Sequence, residues 1–340
     1  MKKLSTIGID LAKNIFQLHG ADDKGNTLFR KRLARRKVIP FLVNLEPCLI
    51  GIEACGGSNY WAREIKKLGH DVKIIAPQFV KPYVKNDKTD ENDAEAICEA
   101  VTRPNMRFVP HKKVEQQDMQ NIHRIRERLI KTRTALINEA RGLLYEYGII
   151  IPTGRYNFKK EFPLIIADPD NELTMMSREI FQNLLSEYIA LEERVIFYEQ
   201  KIKFIHKNHP EAKRLTSIPG VGLLGATAIL ASVNDPHVFK NGREFAAWLG
   251  LVPRQHSSGG KQKNLGISKR GDIYLRKLLI HGARASLRWI DRAEEGKRKT
   301  WLINLSERKG KNLAAVALAN KNARVIWALL VKQENYANVA

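Results

Sequence analysis

Cysteine is scarce. Only three occur in 340 residues, Cys48, Cys55 and Cys98. An odd number without metal-type spacing excludes a disulfide framework and fits a reducing cytoplasm. The nine histidines form no HxxxH or Cys–His pairing, which argues against a structural zinc site. Long hydrophobic runs are missing too. The longest, at 314–319 and 325–331, are flanked by Lys and Arg and fall well short of the ~20 residues of a membrane span. Met1-Lys2-Lys3 leads straight into an alternating pattern rather than a signal-peptide core. Internal repeats and low-complexity tracts are absent. Acid is in short supply: 36 Asp and Glu face 58 Lys and Arg, a net charge of +22. Such a surplus attracts polyanions. With no basic amphipathic anchor to suit a membrane surface, it points to nucleic acid.

What is present divides into three stretches. Residues 1 to about 100 read as α/β. Leu4 to Asp10, Ile15 to His19 and Asn26 to Lys31 alternate as strands. A helix is expected at 37–45, an apolar strand from Cys48 to Glu53, a helix at 59–68 and a strand at 72–75. Three strands, a helix, then alternating strands and helices is the order of the ribonuclease H-like fold. From about 113 to 206, apolar residues recur every three or four positions: Ile122, Ile125, Leu129, Leu136 and Ala140, then Ile180, Leu184, Tyr188, Leu191, Val195 and Ile202. The spacing predicts two long amphipathic helices, broken near Ile151-Pro152-Thr153-Gly154, suited to an antiparallel or intersubunit coiled coil. Arg124, Arg126, Arg128, Lys131 and Arg133 would give the first a basic outer face. Residues 210–335 read as mainly helical, with helices at 223–232, 271–290 and 312–333 and a polar loop at 254–269.

Four acids stand out. Asp10 ends the first strand and Glu53 ends the strand expected beside it. Asp90 and Asp93 open a helix on one face, since residues three apart are neighbours. Each alone reads equally as an ordinary strand-end or helix-N-terminal acid. In this order of elements they would converge at one sheet edge. Crowded carboxylates need cations, and oxygen donors suit Mg²⁺, two ions of which serve phosphodiester chemistry.

Two motifs follow in the last stretch. Pro219-Gly220-Val221-Gly222 before a small-residue helix resembles a helix-hairpin-helix turn, whose Gly220 and Gly222 would let backbone N–H groups approach a phosphate. Gly250-Leu251-Val252-Pro253-Arg254-Gln255-His256-Ser257-Ser258-Gly259-Gly260-Lys261 is small, polar and basic. A serine hydroxyl there would have cations nearby in Arg254, Lys261, Lys263, Lys269 and Arg270.

Together with Gly8-Ile9-Asp10-Leu11-Ala12-Lys13, Ile52-Glu53-Ala54-Cys55-Gly56, Lys88-Thr89-Asp90-Glu91-Asn92-Asp93-Ala94 and Phe245-Ala246-Ala247-Trp248-Leu249-Gly250, these motifs resemble the DEDD-type insertion-sequence transposases, the bridge-RNA-guided recombinases. The resemblance covers nearly the whole chain. It implies a RuvC-like catalytic domain at 1–110, a helical coiled-coil linker at 111–208 and a transposase domain at 209–340. It places the family's catalytic, metal-holding acids on Asp10, Glu53, Asp90 and Asp93, and its nucleophilic serine on Ser258, with Ser257 alongside. It implies a covalent 5′-phosphoserine intermediate and strand exchange through a Holliday junction. The active site would be built from two subunits of a dimer or tetramer. Double-stranded donor and target DNA and a structured guide RNA are the implied partners, with no membrane, in a nucleoid-associated cytoplasmic protein. The loop after Gly259 is about one residue shorter and richer in lysine than the family pattern. Two other readings compete: a RuvC-like endonuclease such as a junction resolvase, using the carboxylates and water, and a non-catalytic basic nucleic-acid-binding protein.

Overall fold

The computed structural model describes residues 3–85, 89–258, 261–292 and 296–336, with the backbone alone at 256–258 and 261–264. The chain divides into two compact units, Met1–Val114 and Glu115–Ala340.

The first unit is α/β. Its elements are β1 (Thr6–Asp10), β2 (Ile15–Ala21), β3 (Thr27–Ala34), α1 (Arg35–Val43), β4 (Leu49–Glu53), α2 (Ser58–Lys67), β5 (Asp71–Ile75), α3 (Pro77–Val80), α4 (Asp90–Val101) and β6 (Phe108–Val109). Among the described residues they form a six-stranded sheet in the order β3-β2-β1-β4-β5-β6. β1 to β3 are antiparallel neighbours, and β1, β4 and β5 run parallel. Central strands covered on both faces read as near-continuous apolar runs, which Ile7, Ile9, Ile50 and Ile52, all fully buried, exemplify. Phe16, Leu18, Val38, Leu42, Trp61 and Ile65 fill the layer under α1 and α2. On the other face lies α4, and two glycines let it approach. A Cβ on Gly8 would sit 2.1 Å from the Ala94 carbonyl oxygen, and one on Gly51 2.9 Å from the Val101 Cβ.

The second unit starts with α5 (Val114–Tyr145), α6 (Arg155–Ala167) and α7 (Met175–Asn208). α5 and α7 are antiparallel: Arg126 pairs with Glu199 at 2.6 Å, and Arg133, seven residues on, pairs with Glu192, seven residues back. Their core holds Leu129, Leu136, Ala140, Phe181, Tyr188 and Leu191, with Phe158 and Phe162 of α6 stacked into it. The break expected at Ile151-Pro152-Thr153-Gly154 lies between α5 and α6, and α6, which the sequence reading did not assign, follows it directly and buries Phe158, Phe162 and Ile166. Thr174 and Ser177 cap α7 reciprocally. Two arginines assigned to a basic outer face, Arg126 and Arg133, are instead part of the α5–α7 seam. Arg124, Arg128 and Lys131 do stand exposed.

A separate core belongs to α8 (Pro210–Thr216), α9 (Leu223–Ser232), α10 (Gly242–Trp248), β7 (Pro253–Ser258), β8 (Lys261–Ile267), α11 (Ile273–Arg288), α12 (Lys297–Lys309) and α13 (Lys311–Lys332). α13 is its axis, burying Ala314, Leu318, Ala323 and Ile326. By length and composition this helix is apolar enough to cross a membrane. Here it is a core helix, and Asn320, Lys321, Asn322 and Arg324 interrupt its apolar run. The expected polar loop at 254–269 is largely a two-stranded antiparallel hairpin, β7 with β8. The polar composition of both strands hid this pairing from the sequence reading.

Candidate active site

The carboxylates are placed by the sheet and by α4. Ile9 pairs with Ile52 across the parallel strands β1 and β4. The next residues, Asp10 and Glu53, therefore stand side by side where both strands end, each half-buried. Gly8 and Gly51 precede them by two positions on the face that α4 covers, so both acids belong to that face. The Cys55 thiol reports on their field. Partial burial of its sulfur raises its pKa, and the charges of Asp10 and Glu53 raise it further.

α4 runs antiparallel to β1. The Cys98 Sγ donates to the Thr6 carbonyl at 3.8 Å, and Ala94 lies over Gly8. One further helical turn brings Asp90 level with Asp10. Asp90 and Asp93 extend the sheet-facing stripe of Ala94, Ile97, Cys98 and Val101. The Thr89 hydroxyl accepts the Asn92 N–H at 3.3 Å, and the acids of the first turn complement the helix dipole. Glu91 falls on the flanking stripe with Glu95 and Glu99. That flank is pinned: Arg30 of β3 donates to Glu95 at 2.7 Å, and Lys85 lies 3.1 Å from Glu99.

All four acids thus come to one end of the sheet, in two pairs. They do not close into a cage: among the described residues no three His, Cys, Asp or Glu side chains stand close enough together to hold an ion. Repulsion between carboxylates favours such spreading. The donor set nonetheless fits a hard cation, because the acids supply only oxygen.

The second group of predicted residues lies in the other unit. Ser258 is the last residue of β7, paired with Lys261 at the hairpin end, and Ser257 pairs with Gln262. The side chains of Ser257, Ser258, Lys261 and Lys263 lie outside the described residues. Arg254, Lys269 and Arg270 are exposed at the hairpin's foot. There the Lys269 N–H donates to the Gly250 carbonyl at 3.1 Å and Arg276 donates to the Arg270 carbonyl at 3.1 Å. The Gly220 turn joins α8 to α9 as expected, but its glycine answers to packing. Gly220 is left-handed, with φ of 90°, and a Cβ on Gly282 of α11 would meet its carbonyl oxygen at 1.9 Å. Arg298 and Asn322 donate to the Pro219 carbonyl at 2.9 and 3.0 Å. Gly222, by contrast, is exposed at the start of α9 with open space around it.

Sequence reasoning missed the ties that hold these groups. Arg30, Lys85 and Glu95 fix α4, and Arg276 fixes the hairpin's foot. Their partners are remote in sequence, so no local pattern announces them.

Comparison with known proteins agrees with this layout. Residues 7–149 match a transposase family of the DEDD, IS110 type. Residues 212–298 match the Transposase IS116/IS110/IS902 family. The chain is 49% identical to a probable family 20 transposase of Pseudomonas aeruginosa, over 98% of both chains. It is 48% identical to the transposase for insertion sequence element IS1111A of Coxiella burnetii, over 99% of this chain and 92% of that one. With the transposase for IS1328 of Yersinia enterocolitica it shares 39% identity over 96% and 97% of the two chains. The chain therefore belongs to the IS110 family of insertion-sequence transposases.

Proposed function

We propose that this transposase cuts and rejoins DNA through a serine ester of the 5′ phosphate, with Asp10, Glu53, Asp90 and Asp93 as the Mg²⁺-holding acids and Ser258 as the nucleophile. The observation that carries the reading is the adjacency of Asp10 and Glu53 at the ends of paired parallel strands, under a helix that opens with two more acids. Magnesium held there offsets the crowded negative charge and stabilises that of the phosphodiester. The Ser258 oxygen attacks phosphorus, the bond to the 3′ oxygen breaks, and the serine proton ends on the 3′ hydroxyl. Rejoining reverses the step: a 3′ hydroxyl attacks the phosphoserine and the serine oxygen leaves with a proton. Arg254, Lys261, Lys263, Lys269 and Arg270 offset charge around the phosphate, and the turn at Gly220 and Gly222 grips the backbone.

In this reading a structured guide RNA selects donor and target DNA by base pairing, and residues 1–110, 111–208 and 209–340 act as catalytic, linking and serine-bearing domains. Acids of one subunit serve the serine of another. An exposed apolar stripe on α7 suits a second copy: Ile189 and Ile196 are seven residues apart, as are Phe197 and Phe204, and each is about half exposed or more.

The test mixes protein, Mg²⁺, element-end DNA and the transcript of the element's flank, and follows a denaturation-resistant protein–DNA adduct. Ser258→Ala removes the adduct and Ser257→Ala keeps it. Asp10→Asn lowers its yield at least about a hundredfold. Cutting without an adduct would instead make water the nucleophile, as in a structure-specific nuclease.

A further inference from the structure

The serine-bearing half of the second unit holds an open cleft of about 1310 Å³ between α10, the foot of the β7–β8 hairpin, α12 and α13. Its floor is apolar, formed by Leu251, Trp301, Val316, Ala317 and Val325, with Leu313 half-exposed at the lip. The charged groups around it are Arg243, Lys321 and Arg324; among the described residues no Asp or Glu lines it. The Lys321 ammonium lies 4.7 Å over the Trp301 ring. Burial, then the charges of Arg298 and Arg324, depress its pKa, a sign of local positive potential. Pro253 and Ile267, paired at the hairpin's foot, form one wall. Ser258 stands five residues further along the same strand, about 17 Å away.

Apolar surface on this scale marks a binding site, and the cationic rim narrows the choice. With Arg243, Lys321 and Arg324 on the rim and no acid among the described lining residues, the cleft favours an anionic occupant over another basic protein surface. Duplex DNA turns its bases inward. An unpaired strand offers both what the floor and the rim need, flat apolar base faces and phosphates. We propose that the cleft binds unpaired deoxynucleotides of the DNA strand leading away from the phosphate presented at the hairpin, with bases on the Trp301 floor and the backbone against Arg243 and Arg324. The identity of that strand rests on the Ser258 reading; the cleft's preference for unpaired DNA does not.

The test compares full-length protein binding to fluorescent blunt duplex and to the same duplex with a short single-stranded extension, measured without Mg²⁺. The extended DNA is expected to bind about tenfold tighter, within the contribution of one stacked base. Ala317→Trp, which fills the cleft from a partly buried position lining it on α13, is expected to erase this preference while leaving blunt-duplex binding unchanged. In parallel, 5-iodo-deoxyuridine in the extension is expected to photocrosslink to the peptide containing Trp301, which decides the matter should Ala317→Trp fail to fold. Equal affinity for the two DNAs, or a preference that survives in a folded Ala317→Trp, or crosslinks confined to other peptides, overturns the inference. Ser258→Ala is expected to keep the preference. If adduct formation proves independent of Ser258 while the preference still requires the cleft, only the nucleophile assignment falls.

Discussion

Gly282 carries a constraint out of proportion to its size. Any side chain there drives into the Gly220 carbonyl, with backbone on both sides and no flexible group to yield. Gly282→Ala is expected to destabilise the second unit by about 3 kcal/mol, the upper end of overpacking costs, read as a drop in its unfolding midpoint. His123 sets a different constraint. Its ring is buried in α5, with Nδ1 3.0 Å from the Tyr274 hydroxyl and Nε2 3.0 Å from the Thr227 hydroxyl. Burial, then the Arg126 charge, lowers its pKa to about 4, against about 6.5 in an unfolded chain. Between those values the unfolded chain takes up a proton that the folded protein refuses. The stability linked to neutral His123 is therefore intact above about pH 6.5 and falls as pH drops toward 4, by about 3 kcal/mol in all. Carboxylates titrate in the lower part of this range, so the informative quantity is the difference between wild type and His123→Gln. Unfolding temperatures of the wild type are expected to drop more steeply from pH 7 to pH 4.5, and parallel curves would remove the histidine from the account.

At the level of elements, α4 and the α5–α7 pair matter most. α4 presses on β1 through Gly8, two residues before Asp10. Gly8→Ala would put a methyl group 2.1 Å from the Ala94 carbonyl oxygen and lift the helix that carries Asp90 and Asp93. It is expected to lower both stability, by about 2 kcal/mol, and DNA cleavage, with part of the lost cleavage recovered at higher Mg²⁺. Loss of stability with cleavage per folded molecule unchanged would separate α4 from the chemistry. In the helical pair, Glu192 takes both Arg133 and Arg155, and the Arg133 side chain is largely buried. Glu192→Ala strands that guanidinium and is expected to cost about 3 kcal/mol, whereas Glu192→Gln, which still accepts hydrogen bonds, costs less.

For the molecule as a whole, the +22 charge predicts binding to DNA that weakens steeply with salt. Raising salt from about 50 to 200 mM is expected to cost roughly a thousandfold in affinity if six phosphates are neutralised; a shallow slope would mean the charge is spread away from the DNA. That charge, the scarcity of cysteine and the absence of a continuous apolar span were readable without coordinates, because they are sums over composition. So were the order of strands and helices up to Ile75 and the two long helices, because period-2 and period-3.6 patterns are local. The motif acids were legible as strand ends and a helix start. Their convergence at one sheet edge could be expected only through the inferred fold; what fixes it is the register of β1 on β4, which sets Asp10 beside Glu53, and the glycine-mediated approach of α4, which brings Asp90 and Asp93 to the same end. The hairpin at 253–267 escaped the sequence because its strands are largely polar, so no apolar alternation marks them. Arg126 and Arg133 looked solvated for a related reason, their partners lying 73 and 59 residues away. The cleft has no sequence signature at all, since its walls come from α10, both hairpin strands, α12 and α13. Periodicity and composition record what each segment does with water, whereas adjacency between segments depends on how their surfaces fit, and that is settled only when the chain packs.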